Sequence, residues 1–432
     1  MSSQAPFAGA APSTESPAAQ PNTLDRVLIG AFLLLAVLLS YATSGWVTFP
    51  LIAVSFVLGA RSFFVPGRPI SRALDPAAWC LLGGFALIGL AFTLSARTPT
   101  ELAFTLNFVM FLLLHPLTVM LARFAAPRNT LRVSALAFAA CASGVLIAAF
   151  QVLVLAMPRA ASFSDPIWSA QAVIAAGFIA LAGSTLAPGR WKIPLLLAPV
   201  FATGVAVLSG SRGPLLAVPV LAVVFVVLNV RRWWLFVALA VALLALGLGA
   251  TALVWPAGWE RLSSMATIAT ELFTTGRVNE QSGHERQLMY ETAWPAFLDA
   301  PWVGHGWARM LDAIAPYLPN GLATFAQVHL HLHSDLLDFA VSGGVLGLVA
   351  YGLILVGPVA AALGSPRDTQ FRFRLTATSV LSAGYFLFGL TYLLFGYEYH
   401  TTLFVCLNAT ILGYCRDRPP TGAAASRSGR NG

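Results

Sequence analysis

Charge is the property that this sequence has least of. Only 10% of its 432 residues are Asp, Glu, Lys or Arg, whereas 58% are hydrophobic. Soluble domains carry about 25% charged residues, so the composition excludes a soluble globular protein and predicts a polytopic membrane protein. In such a chain the net charge of +8 bears on membrane orientation, and we predict no nucleic-acid partner.

Cysteine and the common catalytic motifs are also scarce or missing. Cys80, Cys141, Cys406 and Cys415 lie in or beside apolar segments without CxxC spacing, so we interpret them as small buried side chains. The sequence has no DxD, GxSxG, P-loop or GxGxxG motif. These absences argue against a nucleotide-sugar donor and against ATP. We therefore expect no cofactor, and a transferase of this kind must receive its activating group with the donor.

Long apolar runs dominate the chain. A membrane-spanning helix needs about 20 apolar residues, and by that measure we predict an all-α protein with about twelve transmembrane helices. The predicted spans are 26–43, 46–64, 77–96, 102–122, 132–157, 167–187, 193–209, 214–230, 233–255, 336–363, 373–395 and 400–415. The predicted organisation is a disordered tail (1–24), spans one to nine (25–255), a large loop (256–335), spans ten to twelve (336–415) and a second tail (416–432).

The basic residues predict the orientation of these spans. The tails and even-numbered loops hold 18 of the 25 Lys and Arg residues but only 5 of the 17 acidic ones. Because cytoplasmic loops are enriched in Lys and Arg, we predict that both termini are cytoplasmic. The large loop then faces outward.

Polar residues concentrate in one stretch, Gly276 to Leu348, which holds five of the seven histidines. Ahead of it, the spacing of apolar residues from Trp259 to Phe273 predicts a helix lying on the membrane surface. Ser282 and Glu285 have capping-box spacing, which predicts a helix that begins at Ser282 and ends near Asp299. A tight turn at 304–307 and a third short helix, 308–314, are expected to follow.

Two outward-facing arginines are candidates for anion binding. Arg212 lies in SGSRGP, where the backbone amides of Gly210, Ser211 and Gly213 can join it around an anion. Arg286 lies in the second turn of the helix predicted from Ser282. The alternatives are a snorkelling arginine at the membrane interface for Arg212 and an ion pair with Glu285 or Glu291 for Arg286. Two guanidinium groups in one pocket suit a diphosphate.

The histidine run His329-Leu-His331-Leu-His333 is compatible with two structures. In a strand all three histidines share one face, as in a zinc site, whereas in a helix His329 pairs with His333. No Cys or HExxH lies on this side, so we favour no metal. Ser334 suits the N-cap of a helix that opens at Asp335, and the positive end of that helix would keep His333 neutral and able to accept a proton.

Other ionisable residues nearby can have purely structural roles. His305 and His329 are expected to be hydrogen-bonded interfacial histidines, and the same structural role is the alternative for His333. Asp335, Asp338 and Glu398 are expected to orient or assist the base, or to pair with arginine.

Three motifs resemble one protein family. They are SRGPLLA (211–217), an arginine-bearing helix followed by W-x-A-F and P-x-x-G-x-G (301–306), and HSDLLDF-x-x-x-GGVLGL (333–348). In this order they resemble the O-antigen ligase/polymerase superfamily, and more specifically O-antigen ligases of the WaaL type. The family's layout, many spans with one large periplasmic loop late in the chain, is GT-C-like and is similar to the layout predicted here.

The resemblance implies an inner-membrane glycosyltransferase. It would transfer O-antigen polysaccharide from undecaprenyl diphosphate to lipid A–core, without metal and with inversion. The motif histidine matches His333 as general base, and the motif arginines match Arg212 and Arg286 as diphosphate ligands. Further site candidates are His331, Glu398, Asp335, His305 and Arg309.

Three other functions remain open at this point. An O-antigen polymerase or a protein O-oligosaccharyltransferase would use the same donor. A transporter with a histidine ion site belongs to another class, but transporters place ionisable residues at mid-membrane. The predicted spans hold almost no charge, which favours chemistry at one membrane face.

Overall fold

Every regular element is helical in the part of the chain that the computed structural model describes. That part comprises residues 22–42, 45–64, 75–163, 165–230, 256–319 and 331–417. No β-strand occurs within these ranges. The expectation of an all-α polytopic membrane protein is therefore confirmed.

The helices of the first half follow the predicted spans closely. They are α1 (Thr23–Leu33, extended by a π-helical turn to Leu38), α2 (Gly45–Phe63), α3 (Pro76–Ser95), α4 (Leu114–Ala122, preceded by a 3₁₀ segment from Pro99), α5 (Asn129–Ala149, with a π-helical turn to Val154), α6 (Pro166–Gly183), α7 (Lys192–Leu208) and α8 (Arg212–Asn229).

The second half contains shorter elements between its long helices. They are α9 (Pro256–Thr275), α10 (Gln281–Asp299), a 3₁₀ turn at Trp307–Arg309, α11 (Met310–Ile314), α12 (Asp335–Gly364), α13 (Phe371–Gly389) and α14 (Glu398–Ala409, with a π-helical turn to Tyr414).

Eleven of the twelve predicted spans coincide with helices, and 233–255 lies outside the described residues. Eight of the helical segments within the described ranges are long and apolar enough to cross a membrane. The other three segments, built on α1, α13 and α14, are shorter or more polar than that criterion. Of the predicted tails, 1–21 and 418–432 also fall outside the described residues, and α1 starts inside the first predicted tail, with Asn22 as its N-cap.

Small residues let α6 lie at the centre of the bundle. Almost the whole of α6 is buried, and it packs against α5, α7 and α13. A Cβ on Gly177 would lie 2.8 Å from Ala202 and 3.2 Å from the Ala198 carbonyl, so these helices approach at backbone distance. Such small-residue contacts are the usual way for helices to associate in lipid.

Polar contacts tie several chain segments together at one end of the bundle. The Asp25 carboxylate pairs with Arg61 at 2.6 Å and with Arg123 at 3.5 Å. Gln370, between α12 and α13, donates from Nε2 to Asp417 Oδ1 at 2.9 Å. The segments joined here are those that the charge count groups on one side of the membrane.

A turn after α10 fills a break in α12. Gly344 has φ +59° and ψ −147°, which interrupts the helix that the sequence predicts as one continuous span. The carbonyls of Val341 and Ser342 accept from His305 N and Gly306 N, both at 2.9 Å. In return, Val345 N donates to Pro301 at 2.8 Å and Leu346 N donates to Trp302 at 3.2 Å. The backbone groups freed by the break are thus paired, as burial requires, and two of the family motifs contact each other here.

The start of α10 differs from the prediction. The helix begins at Gln281, and its N-cap is Glu280, whose carboxylate accepts from Gly283 N at 3.1 Å. The expected cap at Ser282 is therefore wrong. The end at Asp299 is confirmed, and the predicted third helix appears as the 3₁₀ turn followed by α11.

Candidate active site

Three arginines line one cavity at the end of the bundle opposite Asp25. The cavity has a volume of about 340 Å³. It is lined by Arg159, Arg286, Glu280, Thr391 and residues 210–214, which include Arg212 and run from the end of the α7–α8 link into the first turn of α8. Ligand pockets of drug-sized molecules begin at about 300 Å³. The structure thus brings together the two arginines singled out in the sequence and adds a third.

Arg212 is the first residue of α8 and makes an ion pair. Its Nη1 lies 3.4 Å from Glu280 Oε2, and both side chains are partly exposed. The amides of Gly210 and Ser211 donate to α7 carbonyls, at 2.9 and 3.1 Å. The expected amide cradle around an anion is therefore wrong for these two groups, and the positive charge of Arg212 is the feature that remains.

Gly213 brings the start of α8 against the turn that follows α13. A Cβ at this position would overlap the Thr391 side chain. The absence of a side chain allows Arg212 and Thr391 to line the same cavity.

Arg286 lies on α10, one helical turn before Tyr290. Within the described residues no carboxylate forms an ion pair with Arg286, and Glu291 instead accepts from Gln287 at 2.8 Å. The Tyr290 hydroxyl donates to the Leu390 carbonyl at 2.9 Å and lies 3.5 Å from the His333 carbonyl. Burial raises the pKa of the Tyr290 phenol, although the nearby Arg286 lowers it, so the hydroxyl remains a donor near neutral pH.

His331 and His333 lie in a short turn that is neither strand nor helix. His333 has φ +53°, and its backbone N donates to His331 Nδ1 at 3.0 Å. The two imidazole rings lie 4.3 Å apart, and each lies 5.4 Å from the Tyr392 ring. Both regular geometries considered for the histidine run are therefore wrong at 331–333, and His329 lies outside the described residues.

Two buried aspartates at the start of α12 accept hydrogen bonds from the backbone amides of two neighbouring turns. Asp338 Oδ1 accepts from Leu332 N at 2.8 Å, within the histidine turn. Asp335 Oδ1 accepts from Leu394 N at 2.7 Å and from Phe395 N at 3.2 Å. Neither carboxylate pairs with an arginine of the described chain, so that alternative is wrong. Ser334 occupies the predicted N-cap position, but its side chain makes no capping bond.

The remaining candidates lie away from the cavity lining. His305 Nε2 lies 2.7 Å from the Ala296 carbonyl, which is the structural role considered for it. Arg309 pairs with Glu101 at 3.3 Å and hydrogen-bonds to the Ser95 carbonyl. Glu398 is exposed in the first turn of α14.

Neighbouring residues connect the cavity to the histidine turn. Arg286 lines the cavity, and Tyr290, one turn further on the same face of α10, contacts the His333 backbone. Thr391 lines the cavity, and the next residue, Tyr392, contacts the ring of His333. Two separate segments therefore place the cationic cavity and His333 about one helical turn apart, although His333 does not line the cavity itself.

Sequence reasoning missed Arg159, Glu280, Tyr290 and Tyr392. Arg159 belongs to the seven basic residues assigned to the outward side, and that scarcity was the available signal. No group of three or more His, Cys, Asp or Glu residues able to hold a metal ion occurs in the described part of the chain.

Comparison with known families bears on this arrangement. Residues 197–352 match the family model described as O-antigen ligase. The resemblance to the O-antigen ligase superfamily is confirmed over this segment. The matched segment contains Arg212, Arg286 and His333, whereas Arg159 and the turn after α13 lie outside it. A comparison of the chain with curated proteins finds no match.

The match to this family model supports a coarse function. It implies a membrane-embedded activity of the ligase or polymerase type, similar to that of glycosyltransferases. In general, the substrates of an O-antigen ligase family are a lipid-linked glycan and lipid A–core.

Proposed function

We propose that the protein is an inner-membrane O-antigen ligase that transfers a polysaccharide from undecaprenyl diphosphate to lipid A–core. The observation that carries this proposal is the convergence of Arg212 and Arg286 on one cavity about one helical turn from His333. The site lies at the end of the bundle opposite the arginine-rich links. Because cytoplasmic loops are enriched in basic residues, we assign those links to the cytoplasmic face and the site to the periplasmic face.

In the proposed reaction the donor diphosphate binds in the cavity and its prenyl chain lies in lipid. The acceptor hydroxyl loses its proton to the His333 imidazole while its oxygen attacks the anomeric carbon. The bond from that carbon to the phosphate oxygen breaks, and its electron pair stays on the diphosphate. Attack from the face opposite the leaving group inverts the anomeric centre.

The arginines act where negative charge develops. In the donor each phosphoryl group carries one ester bond, one anhydride bond and a single ionised oxygen, whereas the terminal phosphate of the leaving prenyl diphosphate has a second ionisable oxygen, whose pKa is about 6. One more negative charge therefore appears in the cavity as the bond breaks. Fixed guanidinium groups stabilise this charge more in the transition state than in the ground state, which is how electrostatic catalysis lowers a barrier.

A transporter is less compatible with the placement of ionisable groups. Asp335 and Asp338, the buried carboxylates of α12, lie in its first turn and hold backbone amides. A transport site would instead place such groups near the middle of the membrane.

The test is transfer by purified protein supplied with undecaprenyl-diphosphate glycan and lipid A–core in the presence of EDTA. Asn is the informative substitution at His333, because it removes the base and still tolerates the positive φ of this position. We expect His333→Asn to lower kcat about 10²- to 10⁴-fold, the usual contribution of a general base.

His284→Asn is the matched control, since His284 is exposed on the same helix as Arg286. It should transfer at the wild-type rate. Elongation of the glycan on its own carrier would identify a polymerase, and transfer to a protein would identify an O-oligosaccharyltransferase. Near-normal transfer by His333→Asn would contradict the mechanism.

A further inference from the structure

The cavity contains a third arginine that no motif of the sequence includes. Arg159 follows α5, outside the segment that matches the family, yet it lines the same cavity as Arg212 and Arg286. Its role is therefore a separate question from the roles proposed for the other two.

The end of α7 holds Arg159 in place. Arg159 Nε donates to the Ser209 carbonyl at 2.7 Å, and the next residue, Ala160, donates from its backbone N to Leu208 at 3.0 Å. The guanidinium plane is thus fixed against the same link that carries Arg212. A planar guanidinium held at Nε presents its remaining N–H edge in a defined direction, which suits recognition of phosphate oxygens.

The backbone around Arg159 is strained and pinned. Ala156 has φ +51° and Ser162 has φ +50°, in a region that L-residues adopt rarely. Gln151 Oε1 accepts from Ala161 N at 3.1 Å and from Ser162 N at 3.0 Å, which stabilises the second of these conformations. Residues held in such conformations persist where surrounding contacts fix them, and they concentrate at ligand sites.

The net charge of the cavity matches that of a sugar-linked diphosphate only when Arg159 is included. The ionisable groups lining the cavity are three arginines and Glu280, so three positive charges and one negative charge leave a net +2. Without Arg159 the net charge would be +1. A prenyl diphosphate bound to a sugar carries one ionised oxygen on each of its two phosphates, so only the full set of arginines neutralises it.

We propose that Arg159, together with Arg212 and Arg286, is a ligand of the donor diphosphate. Arg159 binds the phosphoryl group that a prenyl monophosphate lacks. This inference rests on the proposed function, since it takes the prenyl diphosphate to be the cavity's ligand. It predicts that Arg159 gives the site its preference for a diphosphate over a monophosphate.

The experiment measures binding of farnesyl diphosphate and farnesyl monophosphate to the full-length protein in detergent. We compare wild type, Arg159→Gln and Arg277→Gln, because Arg277 is an exposed arginine in the large loop and does not line the cavity. Hydrogen bonds to charged groups contribute about 1.5–3 kcal/mol, so Arg159→Gln should bind the diphosphate about 10- to 100-fold more weakly. Binding of the monophosphate should change less than about threefold.

Each outcome has one meaning. Selective loss of diphosphate affinity in Arg159→Gln, with wild-type behaviour of Arg277→Gln, supports the proposal. Equal loss for both probes would show that Arg159 only maintains the shape of the cavity, and unchanged diphosphate affinity would show that it is no ligand. Either result overturns the proposal for Arg159 and leaves the proposed function standing. A wild-type protein that binds no farnesyl diphosphate would overturn both.

Discussion

Replacing Gly344 by alanine tests the contact between α12 and the turn after α10. Gly344 combines φ +59° with ψ −147°, a conformation that is essentially confined to glycine. A Cβ there would lie 2.5 Å from the Trp302 carbonyl carbon and 2.7 Å from the Pro301 oxygen. Alanine must therefore strain the backbone of α12 and also push the 301–306 turn away.

The expected cost follows from these two terms. Backbone strain of this kind costs about 1–3 kcal/mol. Displacing the turn breaks the bonds from Val345 N and Leu346 N, each worth about 1 kcal/mol. We therefore expect Gly344→Ala to lower the free energy of unfolding by about 3–5 kcal/mol. The rate of transfer should fall as well, because the displaced turn directly follows α10, the helix that carries Arg286.

The assay is SDS titration of the purified protein in mixed micelles, followed by intrinsic fluorescence. Gly352→Ala is the matched control, since Gly352 lies in the same helix with nothing within 4 Å of an added Cβ. Alanine is favoured over glycine in a helix by about 0.5–1 kcal/mol, so the control should be as stable as wild type or slightly more so.

A second substitution separates strain from lost contact. Gly304 has φ +66°, and a Cβ there would overlap the backbone of Ser342 from the other side of the same contact. If both variants break one interface, Gly304→Ala combined with Gly344→Ala should cost clearly less than the two single costs added together. Additive costs, or a Gly344→Ala protein as stable as Gly352→Ala, would refute this account of the contact.

Two further predictions concern residues around the site. Glu280→Gln keeps an acceptor for Gly283 N but removes the charged partner of Arg212. A partly exposed ion pair contributes ~0.2–1 kcal/mol, so farnesyl diphosphate should bind to this variant a few-fold more tightly in equilibrium titration. Unchanged or weaker binding would contradict this expectation. Asp338→Asn retains an acceptor for Leu332 N and should keep kcat within a few-fold, whereas Asp338→Ala leaves that buried amide unpaired at a cost of about 1–3 kcal/mol and should lower kcat much further. Equal losses of kcat in the two variants would show that the carboxylate charge matters rather than the hydrogen bond.

The spans were predictable because length and composition suffice to identify them. An apolar run of about 20 residues has few alternatives to a helix in lipid, where every backbone polar group must be paired. The break at Gly344 could not be predicted in this way. It depends on a turn some forty residues earlier in the chain, which pairs the backbone groups that the break releases.

The candidate site was predictable only in its individual residues. The scarcity of outward arginines identified Arg212 and Arg286, but nothing in the pattern indicated that the loop bearing Arg159 reaches the same cavity. The conformation of the histidine turn likewise depends on tertiary contacts. Periodicity offered a strand or a helix, whereas Asp338 and Tyr290 hold His333 in a left-handed turn that fits neither.

The spacing within the HSDLLD motif explains how the histidine and its surroundings are held together. Asp335 and Asp338 are three residues apart and therefore lie on neighbouring positions of one face of α12. Asp338 holds the turn that carries His333, and Asp335 holds the turn after α13 that carries Tyr392. The amides that these carboxylates pair, of Leu332, Leu394 and Phe395, lie outside the helices and adjoin apolar spans, where an unpaired amide is costly. One turn of helix thus fixes the position of the proposed base relative to the aromatic ring beside it, which accounts for two buried carboxylates without giving either a role in proton transfer.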